Sequence, residues 1–396
     1  MFATLLGLLA AVHGWSLQGA EASLLPPEPL PLGGYTARQG AKFVPGGDDL
    51  RCRVRIVGEG SARVAFVNLE MLTVPESLVR EVRARIGPDL PLFMGATHTH
   101  CAPDSQMLNE RMNFDVPGIA RFQRKWLNWV ADRIAETINE AATAPRQVGL
   151  TGTIDVRRLT LNRGRRRLAQ PSSLAVTFSF GGAKTISTYA AHATLYNETE
   201  LRTRGDWPGE FMRMGAGLMF PASIGDVSPK SEGATAAERV HRMATALADV
   251  TGRHETQRLD DRLKVVSTPI SLPAPAPHPD FARDYKVVDG IAKLVVNAFA
   301  PKEASLTGVR LGSWVLLGVP GEPSAELGRQ LELMGRNRGF AGVVVVSHVN
   351  GWAGYMLLPE DYDRGGYEAT LNFYGRDFSS RLIDAARRCF EALRTP

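Results

Sequence analysis

The apolar run Leu90 to Phe93 leads through Met94 into Gly95-Ala96-Thr97-His98-Thr99-His100, and a Cys101-Ala102-Pro103-Asp104 turn follows. A strand that delivers ring nitrogens at its end narrows the choice of fold, because residues two apart on an extended segment share a face. His98 and His100 have that spacing. Imidazole is a poor core group unless both nitrogens find partners. The pair therefore reads as a metal-directed site at the end of a buried strand, with a satisfied structural pair as the plain alternative.

The flanking sequence supplies an α/β rhythm. Arg63 to Leu69 alternates as a strand, Thr73-Val74-Pro75-Glu76 has the spacing of a capping box for a helix ending at Ile86 before Gly87, and Leu90 to Thr97 completes a β-α-β unit. Such a unit predicts parallel pairing of its strands. From Gly118 to Ala144, the residues Ile119, Phe122, Trp126, Trp129, Val130, Ile134 and Ile138 recur at helical spacing. Gln147 to Val156 and Ser173 to Phe180 read as strands, and Gly181-Gly182 turns the latter into a partner ending at Tyr189-Ala190-Ala191-His192. Thr268 to Pro279 reads as a surface loop, and strand signals resume over Thr307 to Val319 and Gly342 to Ser347. The expected fold is one α/β domain over residues 23–396, a mixed, largely parallel sheet flanked by helices, with a metal site at the carboxyl ends of the strands.

Composition narrows the function classes. The net charge of +5 is spread along the chain apart from Arg157-Arg158 and the run Arg163-Gly164-Arg165-Arg166-Arg167. Without interleaved aromatics that run reads as a solvated turn, and nucleic acid is not an expected partner. Three cysteines, Cys52, Cys101 and Cys389, are too few for a disulfide framework and form no CxxC clip, so a metal has to be held by histidine and oxygen. Phe2 to Val12 is apolar and Ala20-Glu21-Ala22 has the small-x-small pattern of a cleavage site, which predicts a secretory leader over residues 1–22 and a periplasmic or secreted protein. No Lys or Arg precedes the apolar stretch, and it is too short to span a bilayer.

Strand ends gather His98, His100, His192, Glu322 in Val319-Pro320-Gly321-Glu322-Pro323, and His348 before Asn350-Gly351. Two histidines and a carboxylate are the smallest protein set that holds a catalytic zinc with an open position. Taken singly, Glu322 reads as a helix N-terminal acid and His192 as a core histidine.

Four ordered blocks, Gly95 to His100, Gly225-Asp226-Val227-Ser228-Pro229, Val319 to Glu322, and a C-terminal tyrosine block, resemble the neutral/alkaline non-lysosomal ceramidases over roughly Gly33 to Arg376. The resemblance implies one zinc ion per chain, held by His98, by His192 of His192-Ala193-Thr194, by Glu322 and by Tyr355. It also implies that His100 carries protons and polarises the substrate. Tyr367, 12 residues after Tyr355, matches the family's substrate-facing tyrosine, Arg163 its rim arginine and Ser228 its motif serine, although Ser228 before Pro229 also reads as a turn residue. The implied activity is hydrolysis of the N-acyl bond of ceramide or a ceramide-like lipid, with peripheral contact with a membrane surface.

Departures from the family fall beside the expected metal: Cys101-Ala102 where the family has Ser-Gly, Lys230 after Ser228-Pro229, and Gly365-Gly366 before Tyr367. Cys101 reads either as an accidental extra ligand or as a small buried residue. The chain ends at Pro396, so the resemblance implies that the family's C-terminal immunoglobulin-like domain is absent. Competing readings are a zinc amidase for another N-acyl amide, a non-catalytic lipid-binding relative, and an amidohydrolase barrel using His241, His254 and His278. The barrel is disfavoured because those histidines lie off the expected strand ends.

Overall fold

The computed structural model describes residues 14–59, 62–166, 169–249 and 255–395. Its three large sheets are built alike: an antiparallel run is followed by a helix that returns the chain to a parallel edge strand. The first contains β1 (Trp15–Ser23), β2 (Arg51–Glu59), β3 (Ala62–Leu69), β4 (Leu92–Ala96) and β5 (Gln147–Leu150) in the order β4-β3-β2-β1-β5. Here α1 (Glu76–Ile86) makes β4 parallel to β3, and the other pairs are antiparallel. A second helix, α2 (Arg124–Thr143), connects β4 to β5.

The second sheet contains β6 (Gly152–Arg158), β8 (Leu174–Phe180), β9 (Ala183–Tyr189), β10 (Leu218–Pro221) and β12 (Glu255–Arg258) in the order β10-β9-β8-β6-β12. The crossover α3 (Asp206–Arg213) makes β10 parallel to β9, and α4 (Ala236–Ala248) follows. Beside it, β7 (Asn162–Gly164) and β11 (Val227–Pro229) form an antiparallel pair. The third sheet joins β13 (Leu263–Pro269), β14 (Ser305–Leu311), β15 (Trp314–Gly318) and β17 (Gly342–Val346), with β15 and β17 parallel across α7 (Ala325–Arg336). Helices α5 (Phe281–Asp284) and α6 (Asp289–Phe299) lie between β13 and β14 in sequence. A parallel pair of two residues each, β16 (Glu322–Pro323) with β18 (Tyr355–Met356), precedes α8 (Pro359–Asp363), α9 (Tyr367–Thr370) and the final α10 (Phe378–Arg394).

The sheets share one core. Val57, Phe66 and Phe93 from the first, Phe178, Ile186 and Phe220 from the second, and Leu316, Val344 and Val346 from the third form a single buried cluster. Phe220 stands edge-on to Phe93 at 5.6 Å, and Phe93 is tilted on Phe66 at 5.4 Å, so aromatic rings bridge sheets. Helices cover the opposite faces: α1 and α2 on the first sheet through Leu78, Val82, Trp126 and Ile134, α3 and α4 on the second through Trp207, Phe211 and Met243, α7 and α10 on the third through Leu331, Leu382 and Phe390. Fully burying each such side chain contributes about 1.5–3 kcal/mol.

Several expectations change. The sheets are largely antiparallel rather than largely parallel: the β-α-β reading of β3, α1 and β4 is local, and most neighbours come from meanders. The capping box does not form; Pro75 is the N-cap of α1, while Thr73 bonds Ser105, N–H to Oγ at 3.2 Å and hydroxyl to hydroxyl at 2.7 Å. Gln147 to Val156 is two strands in different sheets, β5 and β6, and α2 begins at Arg124, six residues after Gly118. A leader ending at Ala22 would remove β1, which lies between β2 and β5 and buries Trp15 completely; the folded domain has to keep Trp15. Residues 1–13 of that expected leader lie outside the described residues. No described helix is long and apolar enough to cross a membrane.

Candidate metal centre

The segments leaving the sheets converge. His98 lies two residues past β4, His192 three past β9, Glu322 four past β15 and His348 two past β17. Backbone ties hold them together: Thr99 bridges Ala193 in parallel, Gly95 bridges Val349 in antiparallel, and the Gly225 N–H donates to the Pro323 carbonyl at 2.9 Å. His98 and His348 take left-handed backbone conformations, φ +62° and +58°. For an ordinary side chain that conformation costs about 1–2 kcal/mol and persists only where the surroundings impose it.

Glu322 is the hub. Its Oε2 lies 3.4 Å from His192 Nε2 and 3.7 Å from His98 Nε2, and its Oε1 lies 3.9 Å from His348 Nε2 and accepts from Trp352 Nε1 at 3.1 Å. The N-terminus of α7 is served instead by Asp226, whose Oδ1 accepts from the Ala325 N–H at 2.8 Å, and by the Ser324 cap. Glu322 is therefore not the helix's acid.

Outer contacts aim two of the rings. His98 Nδ1 meets the Leu72 carbonyl at 2.8 Å and His192 Nδ1 the Val227 carbonyl at 2.9 Å, which makes both Nδ1 donors and leaves both Nε2 lone pairs facing Glu322. His100 Nε2 lies 3.2 Å from His98 Nε2, and its ring is 4.8 Å from that of Tyr35. Gly34 makes room for it: at φ +88° a Cβ there would meet the His100 ring at 2.6 Å.

Burial holds the imidazoles neutral. It lowers His192 from 6.5 to about 4, aided by Arg165, and with the neighbouring histidines it depresses His100 and His348 still more clearly. Burial opposes ionisation of Glu322 too, but His98, His192 and His348 outweigh it and hold the carboxyl well below its usual range. Buried beside one another, His192 Nε2, Glu322 Oε2 and both His348 nitrogens lack hydrogen-bond partners. An unpaired buried polar group costs about 1–3 kcal/mol. Neutral nitrogen lone pairs around one carboxylate, each short of a partner, fit a zinc-type divalent cation. His98, His100 and His192 form one set with ligand atoms within 4.8 Å of one another, and His98, Glu322 and His348 form another.

Tyr355 is the register partner of Glu322, 4% exposed, and burial, then Glu322 and Tyr367, raise its phenol well above the usual range. Tyr367 lies 5.8 Å from it ring to ring and is 56% exposed, on the solvent side of the cluster. Arg163 is exposed on β7, opposite half-buried Ser228 in β11, so neither side chain is brought into the histidine cluster. Arg165, two residues on, is: it faces Tyr355 and Glu322, donates to Glu368 Oε1 at 3.0 Å and hydrogen-bonds the Gly225 carbonyl.

Sequence reasoning missed Arg165, because it sits in a basic run that reads as solvated. Its same-face spacing with Arg163 was the available signal. Also missed were Tyr35, Trp352 and Arg38, whose guanidinium bonds the His100 carbonyl and reaches Cys101 Sγ at 3.3 Å. Burial pushes the Cys101 thiol up to about 12, and it serves as a small core residue. His241 is exposed beside Glu210, His278 bonds the Tyr362 carbonyl at 3.2 Å, and His254 lies outside the described residues; the first two are not part of the cluster.

The fold has solved counterparts. A ceramidase solved in complex with C2 superposes with a TM-score of 0.80 over 96% of this chain and 75% of that one, at 15% identity. A neutral ceramidase from Pseudomonas aeruginosa gives 0.78 over 97% and 76%, at 16% identity. The chain has the neutral ceramidase fold. By sequence, a neutral ceramidase from Mycobacterium tuberculosis is 28% identical over 102 residues, 25% of this chain, and the match spans only 16% of that protein's length. No family model matches. At these identities it is the neutral ceramidase architecture that is shared, and the chemistry has to be argued from the residues.

Proposed function

We propose that this protein is a zinc-dependent amidohydrolase that cleaves the N-acyl bond of ceramide or a ceramide-like N-acyl lipid, releasing fatty acid and amine. The observation that carries the reading is the Glu322 hub, where buried, unpartnered His192 Nε2 and Glu322 Oε2 stand 3.4 Å apart with His98 Nε2 beside them. His98, His192, Glu322 and Tyr355 would hold the ion. When bound, zinc supplies Lewis acidity, drawing electron density from an amide carbonyl and making water acidic enough to attack near neutral pH.

The chain's own groups do the rest. His100, neutral near pH 7 and next to the ligand ring of His98, is placed to accept a proton at Nε2 and return it to the leaving amine. Tyr367 stands at the open side to orient the amide, and Arg165, beside Tyr355 and Glu322, supplies positive charge near the carbonyl oxygen. The Val227 carbonyl keeps His192 in one tautomer, and the Ser228 beside it lines the same strand.

A lipid substrate is supported by the surface next to the site. Tyr285, Val288, Ile291 and Leu294 are 41%, 67%, 48% and 71% exposed on α6 and the turn before it, and Tyr285 is near enough to Tyr367 of α9 to help raise that phenol. An exposed apolar cluster of this kind suits contact with a membrane surface, and export belongs to the same proposal, by a leader cleaved ahead of Trp15 rather than at Ala22.

The test is metal content of the purified protein together with fatty-acid release from a panel of N-acyl amides, with and without chelator. About one zinc per chain and chelator-sensitive release from ceramide is the expected result. Release only from other amides overturns the substrate, and absence of both zinc and release overturns the reading.

A further inference from the structure

His348 is 0% exposed, yet neither ring nitrogen has a hydrogen-bond partner. Its ring stacks on that of His98 at 4.2 Å and 18°, and its Nε2 points toward Glu322 Oε1 at 3.9 Å, too long for a hydrogen bond. That oxygen is already occupied by Trp352 Nε1. His98 Nδ1 and His192 Nδ1 are each tied to a carbonyl and His100 keeps a contact at Nε2, whereas His348 is tied at neither nitrogen.

The backbone makes this costlier still. His348 is left-handed at φ +58°, a conformation that glycine or asparagine takes more readily. It is pinned by its own N–H on the Gly321 carbonyl at 3.1 Å and by the Asn350 N–H on the Met94 carbonyl at 2.8 Å. A residue serving only to fill the core is apolar, and a residue serving only the turn is small. A buried imidazole there suits neither role, and its free lone pair joins the ligand atoms of His98 and Glu322 within 4.8 Å.

Resting on the zinc reading above, we infer that His348 is a further protein ligand of the same metal centre, joining His98 and Glu322. A third neutral nitrogen raises the protein's donor count beyond the His98, His192, Glu322 and Tyr355 set. It also accounts for a polar ring at a buried, left-handed position.

Zinc affinity, measured by competition with a chromophoric chelator, and the visible spectrum of the cobalt-substituted protein distinguish the possibilities for wild type, His348→Asn and His348→Gly. Both replacements suit a left-handed backbone. The expected result is one zinc in wild type, binding weakened in both variants by at least the roughly tenfold that loss of even an outer-shell partner typically gives, and a cobalt spectrum shifted toward lower coordination. X-ray absorption of the wild-type zinc protein should show one more imidazole than His348→Asn, and the wild-type count does not depend on how a variant folds. Wild-type affinity and an unchanged cobalt spectrum in both variants overturn the assignment while leaving the zinc reading intact. No metal in the wild type overturns the zinc reading and this one with it.

Discussion

Glu322 and Tyr355 are register partners in the two-residue parallel pair β16–β18, so a carboxylate and a phenol from segments 33 residues apart are fixed side by side beneath three imidazoles. The pairing is backbone-borne: the Glu322 N–H donates to the Gly354 carbonyl at 3.0 Å and the Ser324 N–H to the Met356 carbonyl at 2.9 Å. Side-chain replacements in this pair therefore change the donor set without removing the scaffold.

Ligand and proton-carrier roles separate by metal analysis. His98→Ala and His192→Ala should lose zinc and activity together, while His100→Ala keeps its zinc and loses about 10²–10⁴ in rate, the span of general acid–base catalysis. Gly34→Ala should resemble His100→Ala, because its Cβ would drive into the His100 ring. Loss of metal from His100→Ala would sink this division.

The buried imidazole of His192 gives stability a pH signature in the metal-free protein. Its folded pKa, about 4, lies below the ordinary 6.5, so the unfolded chain takes up the proton first and this group's contribution is lost as pH falls from about 6.5 to 4. His192→Gln removes that loss. Denaturant melts should show the variant gaining about 2–3 kcal/mol relative to wild type between pH 7 and pH 4; a difference independent of pH refutes the assignment.

Glu332 on α7 has the opposite sign. Burial, only partly offset by the Val345 N–H and by Arg336, raises it from 4.5 to about 7, so its favourable state is protonated and stability falls as pH rises through that window. Glu332→Gln keeps an acceptor for Val345 and should stabilise the protein above pH 7 by on the order of 1–2 kcal/mol. Thermal melts at pH 5 and pH 8 should diverge accordingly, and equal shifts at both would count against it.

The strand at the start of the described chain makes truncation informative. A protein beginning at Gly14 should fold, whereas one beginning at Ser23 loses β1 and the Trp15 ring that lies 5.0 Å from Phe180. Circular dichroism and yield of soluble protein decide this, and a cooperative melt from the shorter form would overturn it.

The apolar surface of α6 should matter for lipid and not for chemistry. Ile291→Asp combined with Leu294→Asp ought to weaken sedimentation with phosphatidylcholine vesicles and lower turnover of vesicle-borne ceramide, while turnover of a water-soluble short-chain amide stays unchanged. Equal losses on both substrates would mean that the helix supports the fold instead.

Some of this was legible in the sequence. The β3-α1-β4 unit and the Gly181-Gly182 hairpin were readable because their signals lie within a few residues. Sheet membership was not: β5 and β6 are separated by a single residue and leave for different sheets, and alternation of apolar residues carries no information about which way a neighbour runs. In the site, His98, His192, Glu322 and Tyr355 stood out by their motifs, and the structure brings them together. Arg165 and Tyr35 did not, since one belongs to a charge run and the other to a Pro-rich approach, and only tertiary contact distinguishes them from surface residues.

Each of the three sheets contributes an arm to the cluster: His98 from the first, His192 from the second, Glu322 and His348 from the third. An ion held there would add a tie at one point between three layers that otherwise meet through the shared apolar core, like a keystone. Whatever shifts one sheet against another, whether a cavity beneath Phe220 or a rise in temperature, changes the distance between ligands before it unfolds any strand, so metal release should be the earliest event in the loss of structure.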